Sequence, residues 1–351
     1  MIPKETLLST ARFPRALSRR ASLAATAVLA LTLAACGGDS GNSDATGAAT
    51  PGGSTGTGDA EAPAEQVDLT VGVIPILDVA PIYLGVQEGF FEDEGLNLTL
   101  ELAQGGAAIV PGVVSGQFQF GFSNTTSLLL AAQNNLGLKA IANGASATSD
   151  PMEDFHGLVV KADSPLQGFA DLAGKRIGVN TLNNIHTTTV NEVIREAGGD
   201  PAGNTFVELP FPDMAQAVAN GDVDAGVIVE PFLTMALNAG DRNLGSNLAS
   251  VAEGMTVAMY FTSEAYAQEN ADIVERFTTA MNTSLTYANE NPDAVREVLG
   301  TYTNIDPAVA AEVTLPAWPT EIDRASVEKL SELAQGDGML TSAPDLDALL
   351  P

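Results

Sequence analysis

The feature that most constrains the fold is a pattern that occurs twice in the chain. Val114–Phe122 and Ala219–Val227 each contain a glycine turn followed by an alternating apolar segment, and their glycines Gly116 and Gly221 lie 105 positions apart. A glycine between a helix and a strand is common helix-capping chemistry, so one such segment says little. Two copies at a nearly constant offset predict two lobes built on one plan.

Strand-like and helix-like segments alternate along most of the chain, which predicts an α/β fold with a largely parallel sheet in each lobe. From Met255 onwards one more strand is followed almost entirely by helical patterns. The predicted strands are Val67–Val73, Asn97–Leu102, Gln117–Phe122, Leu138–Ala142, His156–Val160, Arg176–Val179, Thr205–Leu209, Val223–Val229 and Met255–Phe261.

The C-terminal helices need a surface to cover, and the first lobe is the economical choice. The chain would then cross to the second lobe near residue 158 and return near residue 256. This arrangement predicts a first lobe of residues 67–157 and 256–351, a second lobe of residues 158–255, and a hinge of two crossings with a cleft between the lobes.

The first 66 residues are not expected to join this fold. Four arginines precede the apolar stretch Ala21–Ala35, and the one cysteine of the chain, Cys36, follows it directly. This order resembles a bacterial lipoprotein processing site, which implies a signal peptide at residues 1–35 and a lipid on Cys36. Gly37–Gln66 contains no large apolar residue and is expected to be a disordered tether. Whether Ser18–Arg20 signals twin-arginine export stays open.

Charge excludes several kinds of partner. The chain has a formal net charge of −29, and the predicted leader is basic, so the mature protein would be more acidic still. An acidic surface disfavours binding to nucleic acid and adsorption to anionic lipid. The expected contact with the membrane is therefore the lipid on Cys36, at an extracytoplasmic location, and we expect a monomer.

Ala80–Leu96 resembles a signature of the sulfonate, nitrate, taurine and thiamine-precursor group of solute-binding proteins. Further similar segments follow in order at Ser115–Gly121, Asp171–Val179, Gly221–Ala225 and Glu230–Phe232. The resemblance covers nearly all of the region expected to fold. It implies a type II periplasmic binding protein that delivers a small solute to the permease and ATPase of an ABC importer.

Ligands of open α/β sheets bind beyond the carboxyl ends of the strands, where helix N-termini face the crevice. The candidates are therefore polar residues and glycines in the loops at these strand ends. Helix capping or a surface turn explains several of the polar ones equally well. In the first lobe the candidates are Asp78, Gly105, Gly106, Ser123, Asn124, Thr125 and Asn143, and in the second lobe they are Asn180, Thr181, Asn183, His186, Asp213 and Glu230.

Catalysis and metal binding are weakly supported by the sequence. The chain has two histidines, His156 and His186, and no cysteine besides Cys36. A zinc receptor usually needs three or more ligands of these kinds, so we expect neither a metal nor another cofactor, and no enzymatic activity. Trp318, the one tryptophan, is more typical of a core or interlobe anchor than of a ligand contact.

The candidate loops contain acids but no Arg or Lys. This favours a solute with an amino or amidine-like nitrogen, such as an aminopyrimidine or taurine, although helix N-termini also allow sulfonates and nitrate-like anions. Two other interpretations stay open. One is an extracytoplasmic ligand sensor for a signalling partner, and the other, less favoured, is an enzyme similar to a pyrimidine synthase.

Overall fold

The structure is a computed structural model that describes residues 66–351. The predicted signal peptide, Cys36 and nearly all of the predicted tether lie outside these residues. The described chain begins with alternating strands and helices. These elements are β1 (Val67–Val73), α1 (Ala80–Gln87), α2 (Phe90–Asp93), β2 (Leu96–Leu102), α3 (Gly106–Val114), β3 (Phe120–Asn124), α4 (Thr125–Gln133) and β4 (Leu138–Ser146).

A second α/β series follows, and the chain then returns through one long strand to a run of helices. The second series consists of β5 (His156–Val160), β6 (Arg176–Val179), α5 (Ile185–Glu196), β7 (Thr205–Glu208), α6 (Phe211–Asn220), β8 (Ala225–Val229), α7 (Phe232–Asn238) and β9 (Arg242–Asn243). The last series consists of β10 (Thr256–Ser263), α8 (Glu264–Glu269), α9 (Ala271–Glu290), α10 (Pro292–Tyr302), α11 (Pro307–Glu312), α12 (Arg324–Gly336) and α13 (Leu346–Leu349).

The strands form two five-stranded sheets with equivalent topology. Their orders are β2-β1-β3-β10-β4 and β7-β6-β8-β5-β9. In each sheet the first three strands run parallel, and the fourth runs antiparallel to both of its neighbours. The prediction of two α/β lobes on one plan is confirmed. The sheets are mixed rather than largely parallel, because the strand that enters each from the other lobe runs against its neighbours.

Paired glycines show how closely the two lobes repeat each other. Gly121 in β3 and Gly226 in β8 lie 105 positions apart, and each faces a side chain of a covering helix. A Cβ on Gly121 would lie 2.5 Å from Ile109 in α3, and a Cβ on Gly226 would lie 2.8 Å from Met214 in α6. Both glycines therefore let a helix approach its sheet more closely than any side chain would allow.

Helix α9 covers the first sheet. Its Phe277 is fully buried and stacks on Phe120 of β3, with ring centroids 3.9 Å apart and planes inclined by 14°. Phe91 of α2 packs against the ring of Phe277, with ring centroids 5.4 Å apart. Stacked and tilted aromatic pairs of this kind add to the burial of apolar surface. The C-terminal helices thus complete the hydrophobic core around the first sheet.

Two connections join the sheets, one between Ser146 and His156 and the other between Asn243 and Thr256. We call residues 66–146 and 256–351 the first lobe and residues 156–243 the second lobe. The lobe boundaries expected from sequence at 157/158 and 255/256 stay predictions. Across residues 66–351, no helix combines the length and the apolarity that crossing a bilayer requires.

Candidate ligand-binding site

A small cavity of about 30 Å³ lies between the two lobes, at the carboxyl ends of several strands. Polar side chains enter it from both sides, and apolar side chains fill the remaining wall. The first lobe contributes Ile74, Ile76, Asp78, Phe122, Asn124, Val257 and Ala258, and the second contributes His156, Asn180, Asn184, Ile185, His186 and Phe211.

Asp78 is the acid of this cavity. It lies in a short helical turn, Leu77–Val79, directly after β1, and its side chain is only 2% exposed. Its Oδ1 has no hydrogen-bond partner among the described residues. Burial raises the pKa of Asp78 to about 7, and the nearby Asp154 carboxylate adds to the rise. A buried carboxyl oxygen without a hydrogen-bond partner is costly unless something else satisfies it, so Asp78 is the first candidate for a ligand contact in this cavity.

Trp318 holds the turn that carries Asp78. Its indole Nε1 donates a hydrogen bond to the carbonyl oxygen of Asp78 at 3.0 Å, and the ring is 1% exposed. Asn289 at the end of α9 fixes the tryptophan backbone, accepting from its N–H at 3.2 Å and donating to its carbonyl at 2.7 Å. Trp318 is therefore an anchor, as its sequence context suggested, and it positions the cavity acid without lining the cavity.

The second lobe presents an asparagine network at the start of α5. Asn184 caps this helix by accepting from the backbone N–H groups of His186 and Thr187. Its amide nitrogen donates to Asn180 Oδ1 at 2.8 Å and to Thr181 Oγ1 at 3.1 Å. The cap thus orients two of the residues predicted from sequence.

The lobes meet directly beside the cavity. Asn124, at the end of β3, accepts hydrogen bonds from Ser127 N at 2.9 Å and across the cleft from Ile185 N at 3.3 Å. Gly105 lies so close to the second lobe that a Cβ there would stand 2.8 Å from Thr181 Cγ2. The absence of a side chain at Gly105 therefore permits the lobes to close to this distance.

Two histidines form the other polar wall. The rings of His156 and His186 are buried with centroids 5.2 Å apart. Asn247 Nδ2 lies 3.3 Å from His186 Nδ1, within hydrogen-bond distance. His156 Nδ1 has no partner among the described residues. Burial lowers the pKa of His186 to about 3, and burial together with His186 lowers the pKa of His156 well below its usual value.

Replacing His186 with glutamine should destabilise the protein less at pH 5 than at pH 7. An unfolded histidine takes up a proton below about pH 6.5, whereas the pKa of folded His186 is about 3. The wild-type protein therefore loses stability as the pH falls below 6.5, and His186→Gln lacks this loss. Urea unfolding should show the cost of the substitution shrinking by about 2 kcal/mol between the two pH values. An equal cost at both would contradict the neutral, buried state.

The remaining predicted residues lie around the cavity without lining it. Thr125 Oγ1 donates to the carbonyl of Thr256 at 2.7 Å, so its hydroxyl proton already has an acceptor within the protein. Ser123 is buried with an unpartnered Oγ next to Gly106, at the start of α3. Asn183 and Asp213 are exposed on the second lobe.

Asn143 and Glu230 both make side-chain hydrogen bonds within the protein, and Asn143 Oδ1 has no partner among the described residues. The expectation of a loop at Asn143 is wrong, because β4 continues to Ser146 and the Asn143 amide donates to Pro319 O at 2.8 Å. Glu230 is 1% exposed, and its carboxylate accepts from Thr234 Oγ1 at 2.8 Å, Thr234 N at 3.0 Å and Thr314 N at 3.2 Å.

Nine residues that line the cavity were not among the sequence candidates: Ile74, Ile76, Phe122, His156, Asn184, Ile185, Phe211, Val257 and Ala258. A signal existed for Asn184, since asparagine is a preferred N-cap residue and α5 begins at the next position. The others line the cavity because of the approach of the two lobes, which sequence periodicity does not encode.

Two α/β lobes around a cleft with this topology define a chain with the periplasmic binding protein fold. Residues 77–295 match the family described as NMT1/THI5 like, and the chain belongs to this family. The resemblance seen in the sequence motifs is therefore confirmed.

Individual relatives are distant. A 4-amino-5-hydroxymethyl-2-methylpyrimidine phosphate synthase of Aspergillus parasiticus is 24% identical over 62% of this chain and 65% of its own length, so the chain spans less than two thirds of that protein. A formylaminopyrimidine-binding protein of Halalkalibacterium halodurans is 21% identical over 65% of this chain and 67% of its own. The alkanesulfonate-binding protein SsuA of Xanthomonas axonopodis pv. citri, solved with bound MOPS, superimposes with a TM-score of 0.70 at 19% identity, covering 82% of this chain and all of that one.

Proposed function

We propose that this protein is an extracytoplasmic receptor, anchored by a lipid on Cys36, that delivers a small nitrogen-containing solute to the permease and ATPase of an ABC importer. The solute class we favour is an aminopyrimidine. The observation that carries the proposal is the unpartnered Oδ1 of Asp78, buried in the cleft between two lobes.

The chemistry of the cavity supports an N–H donor in the solute. With a pKa near 7, Asp78 serves as a carboxylate that accepts, or as a carboxylic acid that both donates and accepts. An aminopyrimidine presents an amino group beside a ring nitrogen, and this donor–acceptor edge fits a carboxyl group in either state. Asn124, Asn180 and the neutral histidines add further donors and acceptors around it.

The charge of the cavity disfavours the other solutes of the group. No Lys or Arg of residues 66–351 lines it, whereas one acid does. A sulfonate or nitrate ion would have to be held by neutral donors next to Asp78. The formylaminopyrimidine-binding relative also supports the nitrogen-heterocycle class.

An enzymatic function is the second candidate, because several relatives bear the name of an aminopyrimidine phosphate synthase. That name, like that of the binding relative, points to an aminopyrimidine. The two functions differ in what happens to the bound compound. A receptor returns it unchanged, so recovery of a chemically altered compound after prolonged incubation would overturn the transport assignment.

Trp318 provides an internal reporter for testing the solute class, because its indole bonds to the Asp78 carbonyl and it is the one tryptophan of the chain. We expect 4-aminopyrimidine to change tryptophan fluorescence saturably and to raise the melting temperature. Nitrate, taurine and an alkanesulfonate should do neither at the same concentrations. A saturable response to an anion alone would show that the acid of the cavity does not select the solute.

A further inference from the structure

A groove of about 330 Å³ opens at the mouth of the cleft, and both lobes contribute to it. The first lobe supplies the end of β1 and the end of β2, and the second supplies the start of α6 and of α7. Its walls include Leu102, Pro210, Pro212 and Phe232, and among the described residues that line it Gln104 is the one with a polar side chain. We call this surface the apolar groove.

The apolar groove is continuous with the cavity. Ile74, Ile76 and Phe211 line both. Phe211 is the first residue of α6, is 4% exposed, and packs edge-on against His186 with ring centroids 6.2 Å apart. A group leaving the polar cavity past Phe211 therefore enters an apolar surface immediately.

The volumes and the chemistry of the walls indicate what occupies the groove. At about 30 Å³ the cavity admits only the amino-bearing edge of a ring, whereas the apolar groove that continues from it has the size of a site for a small molecule. No titratable side chain of residues 66–351 lines the groove, and Leu102 is 57% exposed in it. The tether Gly37–Gln66 has no large apolar residue to place there, so the chain's own tether is a poor occupant.

We propose that the apolar groove is a second subsite of the same binding site and receives an apolar substituent of the solute. The transported compound is then amphipathic, with a nitrogen-bearing head at Asp78 and an aromatic or branched aliphatic group against Leu102, Pro212 and Phe232. This inference rests on the proposed function, since it takes the head group to lie in the cavity.

The test compares two probes, 4-aminopyrimidine and its 5-benzyl derivative, by fluorescence titration of the full-length protein in detergent. We expect the benzyl compound to bind at least about tenfold more tightly, since burial of its ring removes apolar surface from water. Leu102→Asp places a charge on the exposed wall of the groove and should bring the ratio of the two dissociation constants close to one. Gln104→Glu should reduce the ratio in the same way.

Leu136→Asp is the matched control, because Leu136 is also an exposed leucine, 40% accessible, and lies outside the groove. It should keep the wild-type ratio. Tight binding of 4-aminopyrimidine with no gain from the benzyl group would overturn the subsite and leave the proposed function standing. A ratio that Leu102→Asp and Gln104→Glu both preserve would also overturn it. Failure of both probes to bind would overturn the subsite and the proposed solute class together.

Discussion

Replacing Asp78 with asparagine should stabilise the protein by an amount that grows as the pH rises from about 4 to about 7. The pKa of this carboxyl group moves from 3.8 to about 7 on folding, mainly because the side chain is buried. The folded state therefore holds a proton that the unfolded state has released. The contribution of the Asp78 carboxyl group to the free energy of unfolding is fully present below pH 3.8 and is lost as the pH rises through 7.

The size of the expected stabilisation follows from the change in the pKa of Asp78 on folding. About three pH units at 1.36 kcal/mol each give a difference of about 4 kcal/mol between Asp78→Asn and the wild-type protein once the pH exceeds 7. Urea unfolding of both proteins across this range gives the difference curve. A curve that stays flat would show that the carboxyl group is hydrated or paired in solution.

Asp213→Asn is the matched control for this experiment. Asp213 is an exposed aspartate in the first turn of α6, on the same lobe as most of the asparagine network. The same chemical change there should alter the free energy of unfolding by less than about 0.5 kcal/mol.

The same substitution should weaken solute binding. A hydrogen bond to a charged group contributes about 1.5–3 kcal/mol, so the affinity for 4-aminopyrimidine should fall by about one to two orders of magnitude in Asp78→Asn. A variant that gains stability and loses affinity would show that the burial of Asp78 is maintained for binding. A gain in stability with unchanged affinity would place the solute elsewhere.

Much of the fold prediction was based on the sequence repeat at an offset of 105 residues. Its physical basis is visible in the structure, since Gly121 and Gly226 occupy equivalent positions under α3 and α6. The direction of β10 was not predictable in the same way. Periodicity reports which face of a strand is buried, and β10 is buried on both faces between two antiparallel neighbours.

For the site, the strand-end rule predicted Asp78, Asn124, Asn180 and His186, all of which line the cavity. The same rule also selected Asp213, which is exposed because it lies on the outer side of α6. Polar composition at a strand end indicates the edge of the sheet on which a site lies. It does not indicate which side chains turn inward, because that depends on how the second lobe approaches the first.

Glu230 illustrates the same limit, and it leads to the second large effect. It stands at the start of α7, as a cleft acid should, yet all of its polar groups already bond to the protein. Its carboxylate accepts three hydrogen bonds from Thr234 and Thr314, and its carbonyl accepts from Leu77 N at 3.1 Å. Burial raises the pKa of Glu230, and these hydrogen bonds oppose the rise. The residue thus joins the second lobe to two segments of the first lobe, at Leu77 and at Thr314.

Glu230→Ala should therefore destabilise the protein by about 3 kcal/mol, because it leaves the buried N–H groups of Thr234 and Thr314 without acceptors. Glu230→Gln keeps one acceptor oxygen and should cost about half as much. Glu332→Ala removes an exposed glutamate from α12 and should cost less than about 0.5 kcal/mol. Urea unfolding at pH 7 measures all three.

Titration with 4-aminopyrimidine distinguishes a structural role of Glu230 from direct contact between Glu230 and the solute. If Glu230 acts only through the protein, Glu230→Gln should bind 4-aminopyrimidine within about threefold of the wild-type affinity, a difference below about 0.7 kcal/mol. A loss as large as that expected for Asp78→Asn, with little loss of stability, would instead make Glu230 a ligand contact. The change in stability and the change in affinity, measured for the same variant, therefore assign each of the two buried acids to the fold or to the solute.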